Sequence, residues 1–173
     1  MADFIDRIVR AAKLDPHLYE EVEADRNALG QAVGVVVLSS IAAGIGTFSK
    51  GGLGGLFFGT IAALIGWFIW AYIIYLIGTK LLPEPQTKSD PGELLRTIGF
   101  SSSPGLLRII GIIPGLTQLV FLITSIWMLV AMILAVRQAL DYTGTVRAGV
   151  VCLIGWLVQV IIIFLLLAII RGL

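Results

Sequence analysis

The chain has 173 residues, of which 58% are hydrophobic and 13% charged, with a mean hydropathy of +0.99 and a formal net charge of +1. An ordinary soluble domain carries roughly 25% charged residues. A soluble chain of this length cannot hide so much apolar surface, so the composition excludes a soluble globular protein and indicates an integral membrane protein. No basic stripe of the kind that binds nucleic acid is present. The single cysteine, Cys152, rules out an intramolecular disulfide, and the single histidine, His17, leaves no zinc or iron site of ordinary composition.

In chain order, the opening MADFIDRIVRAAKLD is not read as a signal peptide, because charges are spaced through it and it has no continuous apolar core. Phe4, Ile5, Ile8, Val9 and Ala12 fall on one face of a helix, with Asp3, Asp6, Arg7, Arg10 and Lys13 around the rest. That pattern suits an amphipathic helix at the membrane surface or docked on a bundle. Asp15 and Pro16 then start a second short helix as N-cap and first helical residue. It holds five of the eleven acidic residues: Asp15, Glu20, Glu21, Glu23 and Asp25. A solvated cytoplasmic helix explains them. The functional alternatives are a metal site and a docking surface for a basic partner, and docking through Tyr19, Glu20, Glu23 and Asp25 is the more plausible. Residues 1–29 are thus expected to be cytoplasmic or interfacial helices ahead of a transmembrane domain over 30–173.

Charges punctuate the remainder. Uncharged runs of 23, 29, 28 and 23 residues lie between Arg26 and Lys50, Lys50 and Lys80, Arg108 and Arg137, and Arg147 and Arg171. Each exceeds the ~20 residues needed to cross a bilayer as a helix. Four spans are predicted, at about 30–49, 53–78, 117–136 and 149–170. At the start of the second, in KGGLGGLFFGTIAALIG, Gly51, Gly55 and Gly59 lie four apart, a small face for close helix packing within the bundle or along a homodimer seam.

The linker KLLPEPQTKSDPGELLRTIGF restarts a helix, with Asp90 as N-cap, Pro91 at the first helical position and Glu93 closing a capping box. The stretch that follows, over 97–116, is either a fifth span or a re-entrant loop. If it spans, nine basic residues share one side: Arg7, Arg10, Lys13, Arg26, Lys80, Lys88, Arg96, Arg137 and Arg147. Lys50 and Arg171 are left on the other. A re-entrant loop lowers the ratio to eight against three. The positive-inside rule therefore favours five spans, with the N-terminus cytoplasmic and the C-terminus outside. Pro104 breaks this span near its middle and frees the carbonyl of Phe100, which the hydroxyls of Ser101, Ser102 and Ser103 lie close enough to satisfy. The expectation is one kinked helix. Arg108 within it has three possible environments: outer headgroups reached by snorkelling, a helix-terminal carbonyl or other buried contact, or a pocket for a lipid or anion.

The acidic DPHLYEEVEADRNALGQAVGVVVLSSIAAGIG, the proline after small polar residues in TIGFSSSPGLL, and the apolar IWMLVAMILAVRQAL with its early tryptophan and following basic loop carry a resemblance. The layout resembles the Yip1 domain family in its short bacterial form, over nearly the whole chain. The resemblance implies a five-helix membrane domain with a cytoplasmic N-terminus. Eukaryotic relatives are associated with Rab-type GTPases and carry an Asp-Leu-Tyr-Gly-Pro motif. Here Leu18 and Tyr19 match it within HLYEE and no Gly-Pro follows, so that association is not carried over.

The chain is thus expected to be an all-α polytopic membrane bundle with no catalysis, no metal and no cofactor. Its role is expected to be that of a scaffold, membrane-organising factor or accessory subunit, acting through membrane lipids and a protein partner. Ser101, Ser102, Ser103, Pro104 and Arg108 are the candidate lipid or partner site. The alternatives are a transporter or channel component that uses the kinked span as its pathway, and a membrane enzyme. The latter needs titratable groups converging in the loops at 15–25 and 137–147.

Overall fold

The computed structural model describes residues 3–172, and every regular element among them is helical. The N-terminal pair is α1 (Phe4–Ala12) and α2 (Pro16–Ala24), followed by α3 (Ala28–Gly46) and α4 (Phe48–Leu76). A π-helical turn, Ile77–Leu81, extends α4. After the linker come α5 (Pro91–Phe100), a 3₁₀ helix (Ser103–Ile112), α6 (Thr117–Ala139) and α7 (Thr145–Gly172). Four helices are long and apolar enough to cross a membrane: Ala28–Gly46, Gly52–Leu81, Thr117–Ala139 and Thr145–Ile169.

Local chemistry sets several boundaries. Asp15 Oδ1 accepts from the amide of His17 at 3.0 Å, and Pro16 follows it into α2. At α5 the capping box is complete. Asp90 Oδ1 accepts from Glu93 N at 3.0 Å, and Glu93 Oε2 accepts from Asp90 N at 3.0 Å. Within α4 the helix breaks at Gly52, where φ is +56°, a value glycine takes without a Cβ penalty.

The expected single kinked helix over 97–116 is corrected. The α-helix ends at Phe100, and Pro104 sits in the first turn of the 3₁₀ helix. Proline has no amide to offer Phe100, and its ring obstructs a continuing α-helix. Ser103 Oγ donates to the Phe100 carbonyl at 2.7 Å, and Ser101 Oγ donates to that of Ile98 at 2.7 Å. The freed carbonyl is satisfied within the chain, as a low-dielectric site demands.

The 3₁₀ helix lies in a cradle. A Cβ on Gly99 would stand 2.7 Å from Ala32 Cβ, one on Gly105 would collide with Ser39 Oγ, and one on Gly46 would collide with the carbonyl of Arg108. Ala32, Ser39 and Gly46 follow one another at intervals of seven along α3, so α3 and residues 99–108 run side by side in the same direction. Beside α3, α6 runs the other way and meets the same glycines, with Phe121 at Gly111 and Met128 at Gly105.

Two core clusters form at one end of the bundle. The first joins α4, α5, α6 and α7 through Ile74, Leu94, Leu140 and Val151. The second seats the N-terminal helices, through Ala11, Leu18, Tyr19 and Val22, on Val35, Phe100 and Ala135. The outer flanks of α4, α6 and α7 carry exposed large apolar side chains such as Phe58, Leu122 and Phe164. Such a band is what a lipid-facing surface requires.

Gly46→Ala is expected to separate α3 from the 3₁₀ helix at a backbone contact and to cost about 1–3 kcal/mol, the usual scale of overpacking. Gly59→Ala enters open space and should leave the melting temperature in detergent unchanged or slightly higher. Equal melting temperatures for the two variants would contradict the cradle.

Candidate functional site

The N-terminal helices are held by arginines. Arg7 is 5% exposed and donates to Glu21 at 2.9 Å, Asp25 at 2.9 Å and Gln31 at 2.8 Å, joining α1 to α2 and α3. Arg10 pairs with Asp15 at 2.8 Å and Glu21 at 2.6 Å. Expected on the solvated side of α1, Arg7 instead faces the bundle with Ala11, while Ile5 and Val9 are exposed. The guanidiniums of Arg10 and Arg7 hold Glu21 below its ordinary carboxylate range. Arg96, also buried, donates to the carbonyls of Val22 and Glu23, closing the C-terminal turn of α2 with a cation. The indole of Trp127 on α6 donates to the carbonyl of Ala12 at 2.8 Å.

The linker after α4 and the α6–α7 loop are tied to each other. The Tyr142 hydroxyl donates to Gly78 and Leu82 carbonyls at 3.0 and 2.8 Å. Thr87 Oγ1 donates to the Leu140 carbonyl at 2.9 Å, and Arg147 reaches the Pro83 carbonyl at 2.9 Å. Glu84 accepts from the amide of Thr143 at 3.1 Å and pairs with Arg147 at 3.4 Å. Gln138 Nε2 donates to Glu20 at 2.7 Å. The N-terminal helices, the linker and the loop therefore occupy one end of the bundle.

These ties frame a cavity of about 650 Å³ lined by Glu20, Glu23, Gln86, Arg137, Gln138, Asp141, Tyr142 and Thr143. Burial, with Asp141 and Glu93 nearby, raises the Glu23 carboxyl to about 8. Of the expected docking residues, Glu20 and Glu23 line this cavity. Asp25 is engaged by Arg7, and Tyr19 is fully buried, its hydroxyl without a partner among the described residues. The loops at 15–25 and 137–147 thus do converge. No cluster of three metal-ligating side chains occurs among the described residues.

The second site lies within the apolar part. Arg108 Nε donates to Thr124 Oγ1 at 3.2 Å, Nη2 donates to Ser125 Oγ at 2.9 Å, and the guanidinium sits 5.0 Å from the centre of the Phe121 ring. Two cavities meet at Arg108. One, of about 420 Å³, is lined by Trp67, Trp70, Ser101, Ser102, Ser125, Met128 and Gln159 among others. The other, of about 410 Å³, is lined by Ser39, Ser40, Thr47, Gly55, Gly59 and Ser102 among others. Ser102 and Arg108 border both, whereas Ser103 and Pro104 are buried in the packing and serve the backbone break. A Cβ added at Gly55 or Gly59 would meet no atom within 4 Å, so this small face lines a cavity where tight packing within the chain was expected. The surroundings of Gly51 lie outside the described residues. Sequence reasoning missed Gln159, although a lone amide in the apolar α7 is itself a signal.

Because the raised Glu23 carboxyl binds its proton more tightly folded than unfolded, it favours the folded state below about 4.5, and that contribution fades as pH rises through about 8. Glu23→Gln should therefore gain thermal stability relative to the parent chain at pH 8.5 and lose that advantage near pH 5. Parallel melting curves for the two at every pH would contradict the assignment.

Comparison with known proteins places this geometry in context. A family model described as the Yip1 domain matches residues 16–168. No curated protein and no solved structure matches the chain.

Proposed function

The chain belongs to the Yip1 domain family, and from that premise we propose that it is a non-enzymatic scaffold or accessory subunit of a bacterial-type inner membrane. In this reading it crosses the bilayer five times with its N-terminus in the cytoplasm. The α5 helix and the 3₁₀ helix supply the third crossing. Beyond the tie of Arg96 to α2, the last turn of α5 from Thr97 and the ten residues of the 3₁₀ helix extend roughly 6 and 20 Å, close to a hydrocarbon core of ~30 Å. The side-by-side course of α3 and residues 99–108 supports this, as does the pairing of the linker with the α6–α7 loop, which a re-entrant loop would put on opposite sides.

The observation that carries the functional reading is the cavity at the inner end. Three separate chain segments line it, and two of them present the carboxylates of Glu20 and Asp141 beside a single basic side chain, Arg137, with the carboxyl of Glu23 held largely protonated between them. A basic segment of a protein partner is the complementary chemistry. The rival, a transporter or channel component, draws on the two cavities that meet at Arg108. The scaffold is favoured because, among the described residues, no carboxylate lines either of them to couple an ion.

Purification from native membranes in mild detergent, followed by native mass spectrometry, tests this. A stoichiometric protein partner should accompany the parent chain and be lost in Glu20→Lys and Asp141→Lys. Retention of the same partner by both variants, or ion flux through liposomes that hold the purified chain alone, would overturn the proposal.

A further inference from the structure

Arg108 makes no ion pair among the described residues, and of its five N–H groups only two meet hydroxyls there. Its hydroxyl partner Ser125 lies 14 residues before the end of α6 at Ala139, and Gln159 lies 14 residues after the start of α7 at Thr145. Both are about 21 Å along their helices from the inner end. A cation at that depth with donors to spare calls for an anion, and guanidinium binds carboxylate or phosphate oxygens in a fork.

The space beside it has a definite shape. The cavity at Arg108 shares Trp70, Leu129 and Met132 with another of about 410 Å³, nearly all apolar, which reaches Gly149, Cys152 and Trp156. From Gln159 to Gly149 this groove follows α7 for ten residues, roughly 15 Å. It is polar at one end, with Ser102, Ser125, Gln159 and Arg108, and lined by aromatic and methionine side chains along the rest. Methionine conforms to flexible chains.

We propose that Arg108 binds the anionic head of an acyl-chain amphiphile whose tail lies in the groove between α4, α6 and α7, pointing toward the inner face. Both a phosphodiester of an acidic phospholipid and the carboxylate of a free fatty acid have this chemistry. The inference goes beyond the protein docking of the proposed function and rests on the third crossing argued there.

The test uses the full chain purified in mild detergent, with bound amphiphiles extracted and quantified by mass spectrometry. The parent chain should carry close to one anionic amphiphile per chain. Arg108→Gln should lower this about tenfold, the scale of a lost charge-assisted pair. Gly149→Leu, at a residue that lines the apolar end and whose added Cβ would meet no atom within 4 Å, should lower it similarly while leaving Arg108 in place. Undiminished binding in both variants, or a bound lipid without charge, would overturn the inference. Delipidated protein is then titrated with phosphatidylglycerol and with oleate. The probe that raises the melting temperature identifies the source, and no response to either overturns the inference. A chain that carries its protein partner but no amphiphile defeats this inference alone, and a chain with neither defeats the proposed function as well.

Discussion

The bundle depends on the approach of α3 to residues 99–108, where a helix meets a segment that is only partly helical and hydrogen atoms stand in place of side chains. Gly99 against Ala32, Gly105 against Ser39 and Gly46 against the Arg108 carbonyl leave no room for a methyl group at any of the three glycines. In lipid there is no hydrophobic force between helices, so close packing supplies much of the association. It also excludes lipid from a backbone whose hydrogen bonding changes pattern at Pro104. With Ser103 on the Phe100 carbonyl, the break costs no orphaned acceptor there.

From that contact the polar chemistry separates into two zones. At the end that carries the N-terminal helices, Arg7, Arg96 and Tyr142 spend their donors on neighbouring elements, fastening α2, the π-helical turn of α4 and the α6–α7 loop into one surface. Each donor is partly or fully withdrawn from water and meets a carbonyl or carboxylate, so these bonds carry more consequence than exposed ion pairs such as Arg10 with Asp6. Deeper in, Arg108 is only partly engaged, and its unused donors face cavities that the packing leaves open. Arg96 and Arg108 each donate two hydrogen bonds, but Arg96 meets backbone carbonyls in a closed contact with α2, whereas Arg108 meets hydroxyls beside open cavities.

Local sequence reported local structure well. The caps at Asp15 and Asp90 depend on residues within three positions and were legible, as were the four long apolar helices. Pro104 announced a break, and the nearby serines announced its remedy. What the pattern could not supply was the extent of the break, because a sequence window does not report that α3 lies against residues 99–108. Amphipathic reading sent Arg7 to solvent, since charge on a surface helix ordinarily goes there. Its burial is decided by Glu21 and Asp25, 14 and 18 residues away. The spacing of Gly55 and Gly59 announced a small face but not what lies against it. The partners of Arg108 on α6 likewise required the fold, because Thr124 and Ser125 look like ordinary residues of an apolar helix.

If residues 97–116 cross the membrane, the linker and the α6–α7 loop share the inner face while residue 113 lies at the other. Single cysteines in a Cys152→Ser background, at Gln86→Cys, Thr143→Cys and Ile113→Cys, would be challenged with a membrane-impermeant thiol reagent in sealed right-side-out vesicles. Position 113 should react, while 86 and 143 should both be protected until the vesicles are opened. Reaction of 143, with 86 and 113 both protected, would contradict the crossing.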